Sequence, residues 1–267
     1  MDSITLALHH YLNHPTILHF TWSPPLTFAS SPHFLISAIL TYLSLTFLLF
    51  LCFPLLSLPP RLLKPISAFH SLLLLLLSLI LAVGCTFSII FHTSHLRYIV
   101  CFPPGTPPSG PLFFWAHLFY LSKILEFFDT LLIVLSNSIR RLTFLHVYHH
   151  ATVVIMCYLW LNTSQSLFPI ALVSNASVHV IMYLYYFLCA MGMRPTWKRL
   201  VTHCQIVQFV FSFCVSVLML WYYFTELGCS GIWGWCFNAI FNASLLALFV
   251  DFHGKNYHKK SRDGKRL

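Results

Sequence analysis

Residues 66–91 read ISAFHSLLLLLLSLILAVGCTFSIIF, an apolar run that contains no acid, lysine or arginine. The hydrocarbon core of a bilayer needs roughly 20 such residues in one helix, so this run predicts a membrane-spanning helix. The whole chain has the same character, because 58% of its 267 residues are hydrophobic and only 8% are charged. Soluble domains carry about a quarter charged residues. The composition therefore excludes a water-soluble domain and predicts an all-α integral membrane protein.

Six further stretches are long and apolar enough to cross a bilayer: 34–57, 112–136, 142–161, 167–191, 201–225 and 231–253. Of the 15 lysines and arginines, 13 follow the first, third, fifth and seventh stretches. Basic residues concentrate in cytoplasmic loops, so the pattern predicts seven transmembrane helices with a lumenal N-terminus and a cytoplasmic C-terminus. We expect a lumenal segment at 1–33, a membrane domain at 34–253 and a basic cytoplasmic tail at 254–267. The basic residues that give the net charge of +9 lie mostly in the loops and the tail that follow the spans. This placement predicts contact with membrane lipid and no nucleic-acid partner.

Two cysteines, Cys101 and Cys229, fall in loops that this topology places in the lumen. An oxidising compartment permits a disulfide there. We expect these two residues to pair, and the alternative is two free thiols.

Ionisable side chains are costly inside a bilayer, so each one is a candidate functional group. Lys123, Glu126 and Asp129 share the third stretch at i, i+3 spacing, and Thr130 lies four residues after Glu126. A neutralised ion pair that only fixes helix packing would also explain this set.

Three histidines, His146, His149 and His150, lie near the start of the fourth stretch, and their spacing places the imidazoles on one helix face. A single buried histidine is usually structural. Three together indicate either metal binding or nucleophilic or acid–base catalysis.

Polar side chains also follow one face in each of the next two stretches. They are Asn175, His179, Met182, Tyr183 and Tyr186 in the fifth stretch, and Thr202, Gln205 and Gln208 in the sixth. Hydrogen bonding between helices is the alternative explanation. The predicted topology places all four polar segments in the cytoplasmic half of the membrane, which predicts one cavity open to the cytoplasm. The basic loops around it would attract an anionic substrate such as a coenzyme A ester.

The chain resembles the ELO family of very-long-chain fatty-acid elongases in four motifs, which occur in this order: KxxExxDT at 123–130, HxxHH at 146–150, NxxxHxxMYxYY at 175–186 and TxxQxxQ at 202–208. The resemblance implies seven helices, six of them in a ring around an acyl tunnel, in the endoplasmic reticulum membrane. It implies that acyl-CoA condenses with malonyl-CoA to 3-oxoacyl-CoA, CO2 and CoA, without a cofactor or a metal. It also makes the ketoreductase, dehydratase and enoyl reductase of the elongation cycle candidate partners.

The resemblance and the chemistry of the reaction together suggest a role for each polar residue. His149, at the centre of its motif, is the expected nucleophile that carries the acyl group. We expect His146 and His150 to orient it or to shuttle protons, and His179 and Asn175 to stabilise the enolate or oxyanion. The supporting residues are Lys123, Glu126, Asp129 and Thr130, and the coenzyme A path is expected to be lined by Tyr183, Tyr186, Thr202, Gln205 and Gln208.

Two other classes of protein stay open at this point. A di-iron membrane desaturase or hydroxylase also uses HxxHH boxes, but it needs about eight histidines on one side of the membrane. The other pair at suitable spacing, His92 and His95, falls on the lumenal side. A seven-helix transporter or receptor would have the predicted topology, but it does not need three clustered histidines beside an acid pair.

Overall fold

The computed structural model describes residues 14–52, 58–93, 95 and 97–255 of the chain. This part is almost entirely helical, and it contains no strand beyond an isolated antiparallel bridge between Thr21 and Ser109. The all-α class is therefore confirmed. The helices are α1 (Pro15–Leu18), α2 (Pro32–Leu51), α3 (Pro60–His92), α4 (Arg97–Val100), α5 (Pro111–Leu125), α6 (Phe127–Leu135), α7 (Phe144–Asn162), α8 (Phe168–Ala190), α9 (Lys198–Thr225) and α10 (Ile232–His253), with a 3-10 helix at Ile139–Arg141.

Six of these helices, α2, α3 and α7 to α10, are long and apolar enough to cross a membrane. They correspond to six of the seven predicted spans, which confirms an integral membrane protein. The last residues of the first predicted span, 53–57, lie outside the described residues, as do 1–13 of the predicted lumenal segment and 256–267 of the predicted tail. The count of seven helices and the orientation of the termini stay predictions.

The third predicted span, 112–136, consists of two helices, α5 and α6, that meet at Glu126. The backbone of Glu126 keeps a right-handed helical conformation, with φ −63° and ψ −14°. The amide of Asp129 donates to the carbonyl of Glu126 at 3.0 Å, a bond across three residues instead of four. The chain therefore tightens at Glu126 without reversing direction.

The long helix α3 packs most extensively against α8 and also contacts α5. Gly84 makes the second contact possible, because a Cβ atom there would collide with the ring of Trp115. The indole of Trp115 then donates to Ser88 Oγ at 2.8 Å. Helix α7 lies against α5, α2 and α10, and α9 packs between α8 and α10.

Residues 14–31 pack against the N-terminal part of α5. Trp22 is only 3% exposed and contacts the rings of His117, Tyr120 and Tyr158. The hydroxyl of Tyr120 donates to the carbonyl of Ala29 at 3.1 Å. The described part of the predicted lumenal segment is thus anchored to the helices.

A disulfide joins Cys101 and Cys229 at the end of the molecule where α5 begins, with their Cα atoms 5.1 Å apart. Beside it, the hydroxyl of Ser166 accepts from the amide of Phe102 at 3.0 Å and donates to the carbonyl of Ser230 at 2.9 Å. An ion pair between Arg97 and Glu226 lies in the same region. These bonds connect the loop before α5 with the α7–α8 and α9–α10 turns.

Replacing both Cys101 and Cys229 with serine should lower the free energy of unfolding by about 2–4 kcal/mol, because the crosslink restricts the unfolded chain. The two cysteines are 128 residues apart in sequence. Thermal unfolding in detergent micelles, with and without reductant, measures the effect. The control is Cys214→Ser, which removes an exposed free cysteine on α9. Equal stability of the parent and the double variant would contradict the prediction.

Candidate active site

Lys123, Glu126 and His179 form a compact buried cluster where α5 ends against α8. The ammonium of Lys123 donates to Glu126 Oε1 at 2.6 Å, and His179 Nδ1 lies 3.2 Å from both the Lys123 nitrogen and that carboxylate oxygen. The side chains of Lys123 and Glu126 are each only 2% exposed. Charges this deeply buried persist only when they are paired. The i, i+3 spacing brings the pair together on one face of the helix.

His179 can contribute to this cluster in two ways. A neutral ring with its proton on Nε2 accepts from Lys123, whereas a proton on Nδ1 is donated to Glu126. Glu126 Oε2 has no hydrogen-bond partner among the described residues. The ammonium also lies 4.5 Å from the centre of the Phe119 ring, which stabilises it as a cation.

Asp129 is held from two sides, by α3 and by α8. His70 Nε2 lies 3.0 Å from Asp129 Oδ1, and the hydroxyl of Tyr183 donates to Oδ2 at 2.8 Å. Both oxygens of this carboxylate are therefore engaged. Tyr183 was predicted to line the coenzyme A path, but in the structure its hydroxyl binds Asp129.

Thr130 connects α2 and α7 through a chain of hydrogen bonds. The hydroxyl of Tyr42 lies 3.0 Å from Thr130 Oγ1, which lies 2.8 Å from His146 Nε2. Helix α7 starts beside this contact because Thr143 Oγ1 accepts from the amide of His146 at 3.2 Å and caps the helix. The His146 ring lies 4.4 Å, centre to centre, from that of His150. Thr130 is thus the link between α2 and the histidine cluster.

His149 faces a small, partly open cavity that is lined by α7, α8, α9 and α10 and has a volume of about 30 Å3. Asn175 and Gln208 line the same cavity. His149 Nδ1 and Asn175 Oδ1 are buried and have no hydrogen-bond partner among the described residues. The ring of His149 lies 5.4 Å from that of His150 and stacks on the ring of Phe241 at 6.3 Å. The predicted nucleophile therefore lies at the wall of the cavity, next to His150.

Four predicted substrate-binding residues are not among the described residues that line this cavity: Tyr183, Tyr186, Thr202 and Gln205. Thr202 is buried near the start of α9, and the Gln205 amide contacts the sulfur of Met182 at 3.6 Å. Tyr186 lies beneath the guanidinium of Arg141, 5.7 Å from the ring centre. Their proposed contact with coenzyme A stays a prediction.

Sequence reasoning missed several residues of the site. The chief ones are Tyr42 on α2, His70 on α3, and Asn238, Phe241 and Asn242 on α10. His70 could have been found, because it is the one ionisable side chain in the apolar run 66–91. Asn238 and Asn242 are four residues apart, so they share a face of the last span.

Across the described ranges, no group of three or more His, Cys, Asp or Glu side chains is arranged to hold a metal ion. The three clustered histidines instead have different neighbours. His146 binds Thr130, His149 faces the cavity, and His150 is buried beside the ring of Tyr42. This arrangement provides one imidazole toward the cavity and two behind it.

The fold and this site define a class: a helical integral membrane protein with a buried ion pair and three clustered histidines, one of which lines a cavity between the helices. The sequence profile of the ELO family (GNS1/SUR4 family) matches residues 27–265. The chain belongs to the ELO family, which confirms the resemblance at the level of the family.

Several named relatives agree with this assignment. Fatty acid elongase A of Dictyostelium discoideum is 35% identical over 209 residues, which cover 75% of this chain and 74% of the relative. Fatty acid elongase 3-like of Arabidopsis thaliana is 29% identical over 269 residues, covering 95% of this chain and 91% of the relative. Very long chain fatty acid elongase 5 of Xenopus tropicalis is 35% identical over 161 residues, or 55% and 50% of the two chains.

Lys123→Met should lower the free energy of unfolding by about 3–5 kcal/mol, because it leaves the Glu126 carboxylate buried without its partner. The double variant Lys123→Met/Glu126→Gln removes both charges and should lose less than the sum of the two single losses. A double-mutant cycle on thermal unfolding in detergent measures this coupling. Lys198→Met, at an exposed lysine on α9, is the control and should change little. Additive losses would contradict a coupled pair.

Proposed function

We propose that this protein is a fatty-acid elongase that condenses a long or very-long-chain acyl-CoA with malonyl-CoA. The observation that carries the proposal is the position of His149, which lines the cavity beside Asn175 and has a buried ring nitrogen without a hydrogen-bond partner among the described residues. Membership of the ELO family and the names of its relatives support the same activity. The products are 3-oxoacyl-CoA, CO2 and free CoA.

The reaction is proposed to run in two steps through His149. Its unprotonated ring nitrogen attacks the thioester carbonyl, the carbon–sulfur bond breaks, and the CoA thiolate leaves with the proton that the other ring nitrogen gives up. Malonyl-CoA then loses CO2, and the resulting enolate attacks the acyl-imidazole carbonyl. A new carbon–carbon bond forms, the carbon–nitrogen bond to the imidazole breaks, and the imidazole takes up one proton from water as it leaves.

The surrounding residues supply charge and position for both steps. The amide of Asn175 is buried beside His149 and is suited to stabilise an oxyanion or the enolate. Lys123 and Glu126 keep a pair of charges at the junction of α5 and α6 without exposing them to water. His146 is oriented through Thr130, and His150 packs between His146 and His149.

The wider setting belongs to the same proposal. We place the enzyme in the endoplasmic reticulum membrane, with the mouth of the cavity on the cytoplasmic side, where coenzyme A esters are available. The reaction needs no cofactor. Its product must next be reduced, dehydrated and reduced again, so a ketoreductase, a dehydratase and an enoyl reductase are the proposed partners.

Acyl-CoA alone should acylate the purified protein and release one equivalent of CoA per molecule, because the first step does not need malonyl-CoA. Intact-mass measurement detects the acyl group, and malonyl-CoA should then discharge it as 3-oxoacyl-CoA. His149→Ala should lose both the CoA release and the product. His33→Ala is the matched control, since His33 is an exposed histidine in the first turn of α2.

The possible outcomes separate the steps of the proposal. Full production of 3-oxoacyl-CoA by His149→Ala would contradict the acyl-histidine intermediate but leave the condensation intact. No product from the parent protein with any acyl-CoA, together with iron-dependent oxygen uptake, would favour a di-iron desaturase or hydroxylase instead. Transport of the acyl-CoA across vesicles without chemical change would favour a transporter.

Tyr42→Phe should lower kcat by roughly tenfold and leave KM nearly unchanged, since it removes one hydrogen bond from the chain that orients His146. The phenol is 5% exposed and its ring stacks on Phe127 at 4.1 Å, so phenylalanine keeps the packing. Steady-state kinetics with one acyl-CoA measures the effect. Tyr98→Phe, on α4 at the disulfide end of the molecule, is the control. A rise in KM with kcat intact would contradict a positioning role.

A further inference from the structure

Two histidines meet where α9 begins and α10 ends. His203 lies in the second turn of α9, and His253 is the last residue of α10. Their Nε2 atoms are 3.0 Å apart, and their ring centres are 5.1 Å apart. His203 is exposed and His253 is half-buried. The predicted topology places both helix ends on the cytoplasmic side of the membrane.

The pair lies beyond the cavity, toward the ends of both helices. His203 precedes the cavity-lining Gln208 by five residues, which corresponds to about 7.5 Å along α9. His253 follows the cavity-lining Leu245 by eight residues, or about 12 Å along α10. Neither ring has a role in the proposed condensation. Their contact is therefore a separate feature of the molecule.

A contact between two Nε2 atoms sets a condition on the protons of the two rings. A neutral imidazole has one N–H donor and one acceptor lone pair, so a hydrogen bond forms only when one ring carries its proton on Nε2 and the other on Nδ1. Such a bond contributes little at an exposed position, because water competes for both nitrogens. With both protons on Nδ1, the two lone pairs face the same gap, and a cation can bind to both.

The distance between the two nitrogens matches the spacing of two ligands on one metal ion. Zinc–nitrogen bonds are about 2.0–2.1 Å long, so two bonds that meet between a right angle and the tetrahedral angle hold the nitrogens roughly 2.9–3.4 Å apart. The observed 3.0 Å lies within this range. Because His203 is exposed, an ion can reach the gap from water, and water molecules can fill the remaining coordination positions.

The type of ligand selects a class of ion. Neutral imidazole binds Zn2+, Cu2+ and Ni2+, whereas Mg2+ and Ca2+ prefer oxygen ligands. The two histidines are on helices that already pack against each other, so binding needs little additional ordering of the chain. With two protein ligands, the site should bind its ion more weakly than the closed four-ligand sites of structural zinc.

We propose that His203 and His253 bind one divalent transition-metal ion of the zinc class, which links the start of α9 to the end of α10. Water completes the coordination, and the ion takes no part in the condensation reaction. The inference therefore does not depend on the proposed function. It rests on two imidazole nitrogens that separate helices bring within ligand spacing, at a position open to water.

Zinc binding to the purified protein in detergent tests the site, with a chromophoric chelator as the competitor. The chain has 16 histidines, so the informative quantity is the difference between the parent and its variants. His203→Ala and His253→Ala should each bind one equivalent fewer than the parent, and the double variant should lose no more than either one. Loss of a partner behind a ligand already weakens metal binding by about 10–100-fold, so loss of a ligand should weaken it by at least on the order of tenfold.

Two further variants make the test specific. His33→Ala, at an exposed histidine in the first turn of α2, is the matched control and should bind zinc as the parent does. His203→Gln separates metal binding from hydrogen bonding, because its amide can still bond to His253 but does not supply the imidazole nitrogen. It should lose the same equivalent of zinc and unfold at the same temperature as the parent when no metal is present.

Thermal unfolding provides a second measurement. Zn2+ should raise the unfolding temperature of the parent more than that of His203→Gln, because an ion bound to the folded state stabilises it, whereas Mg2+ should raise neither. Equal zinc binding by the parent and the double variant would overturn the inference and leave only a hydrogen bond between the rings. Loss of zinc in one single variant but not in the other would also overturn it, since both rings must hold the same ion.

Discussion

The ion pair between Lys123 and Glu126 is the constraint on which the rest of the site depends. Two charges in a low-dielectric interior must remain together, so the pair fixes the junction of α5 and α6 against His179 on α8. Asp129 and Thr130 follow on the next turn of α6, and they are placed by that junction. They reach three further helices, α3, α2 and α7. One paired charge thus determines how six helices meet.

The sequence predicted the polar cluster well because a membrane tolerates few polar residues. Each of Lys123, His149 and His179 is costly within an apolar span, so each one indicates function even without its partners. Periodicity then gave the helix face for every motif. It could not give the register between helices, which is why His70 and Tyr42 were missed. A single histidine or tyrosine in an apolar run does not reveal which neighbouring helix it faces.

The break at Glu126 has a similar origin. Residues 112–136 are apolar enough to predict one span, and only the geometry of the backbone shows that the helix tightens at Glu126. Two residues on the same helix face do not always contact the same partners. Tyr183 lies on the same stripe as Asn175, yet its hydroxyl binds Asp129 whereas Asn175 faces the cavity. Spacing predicts which residues are neighbours but not which atoms they bind.

Hydrogen bonding distinguishes the residues that hold the site in place from the residues that are available to a ligand. Asp129, Thr130 and His146 have their hydrogen bonds within the protein, so they hold the site in place. His149 and Asn175 both face the cavity, and each has a buried polar atom without a partner in the part of the chain that the structure describes, so a ligand is the natural complement.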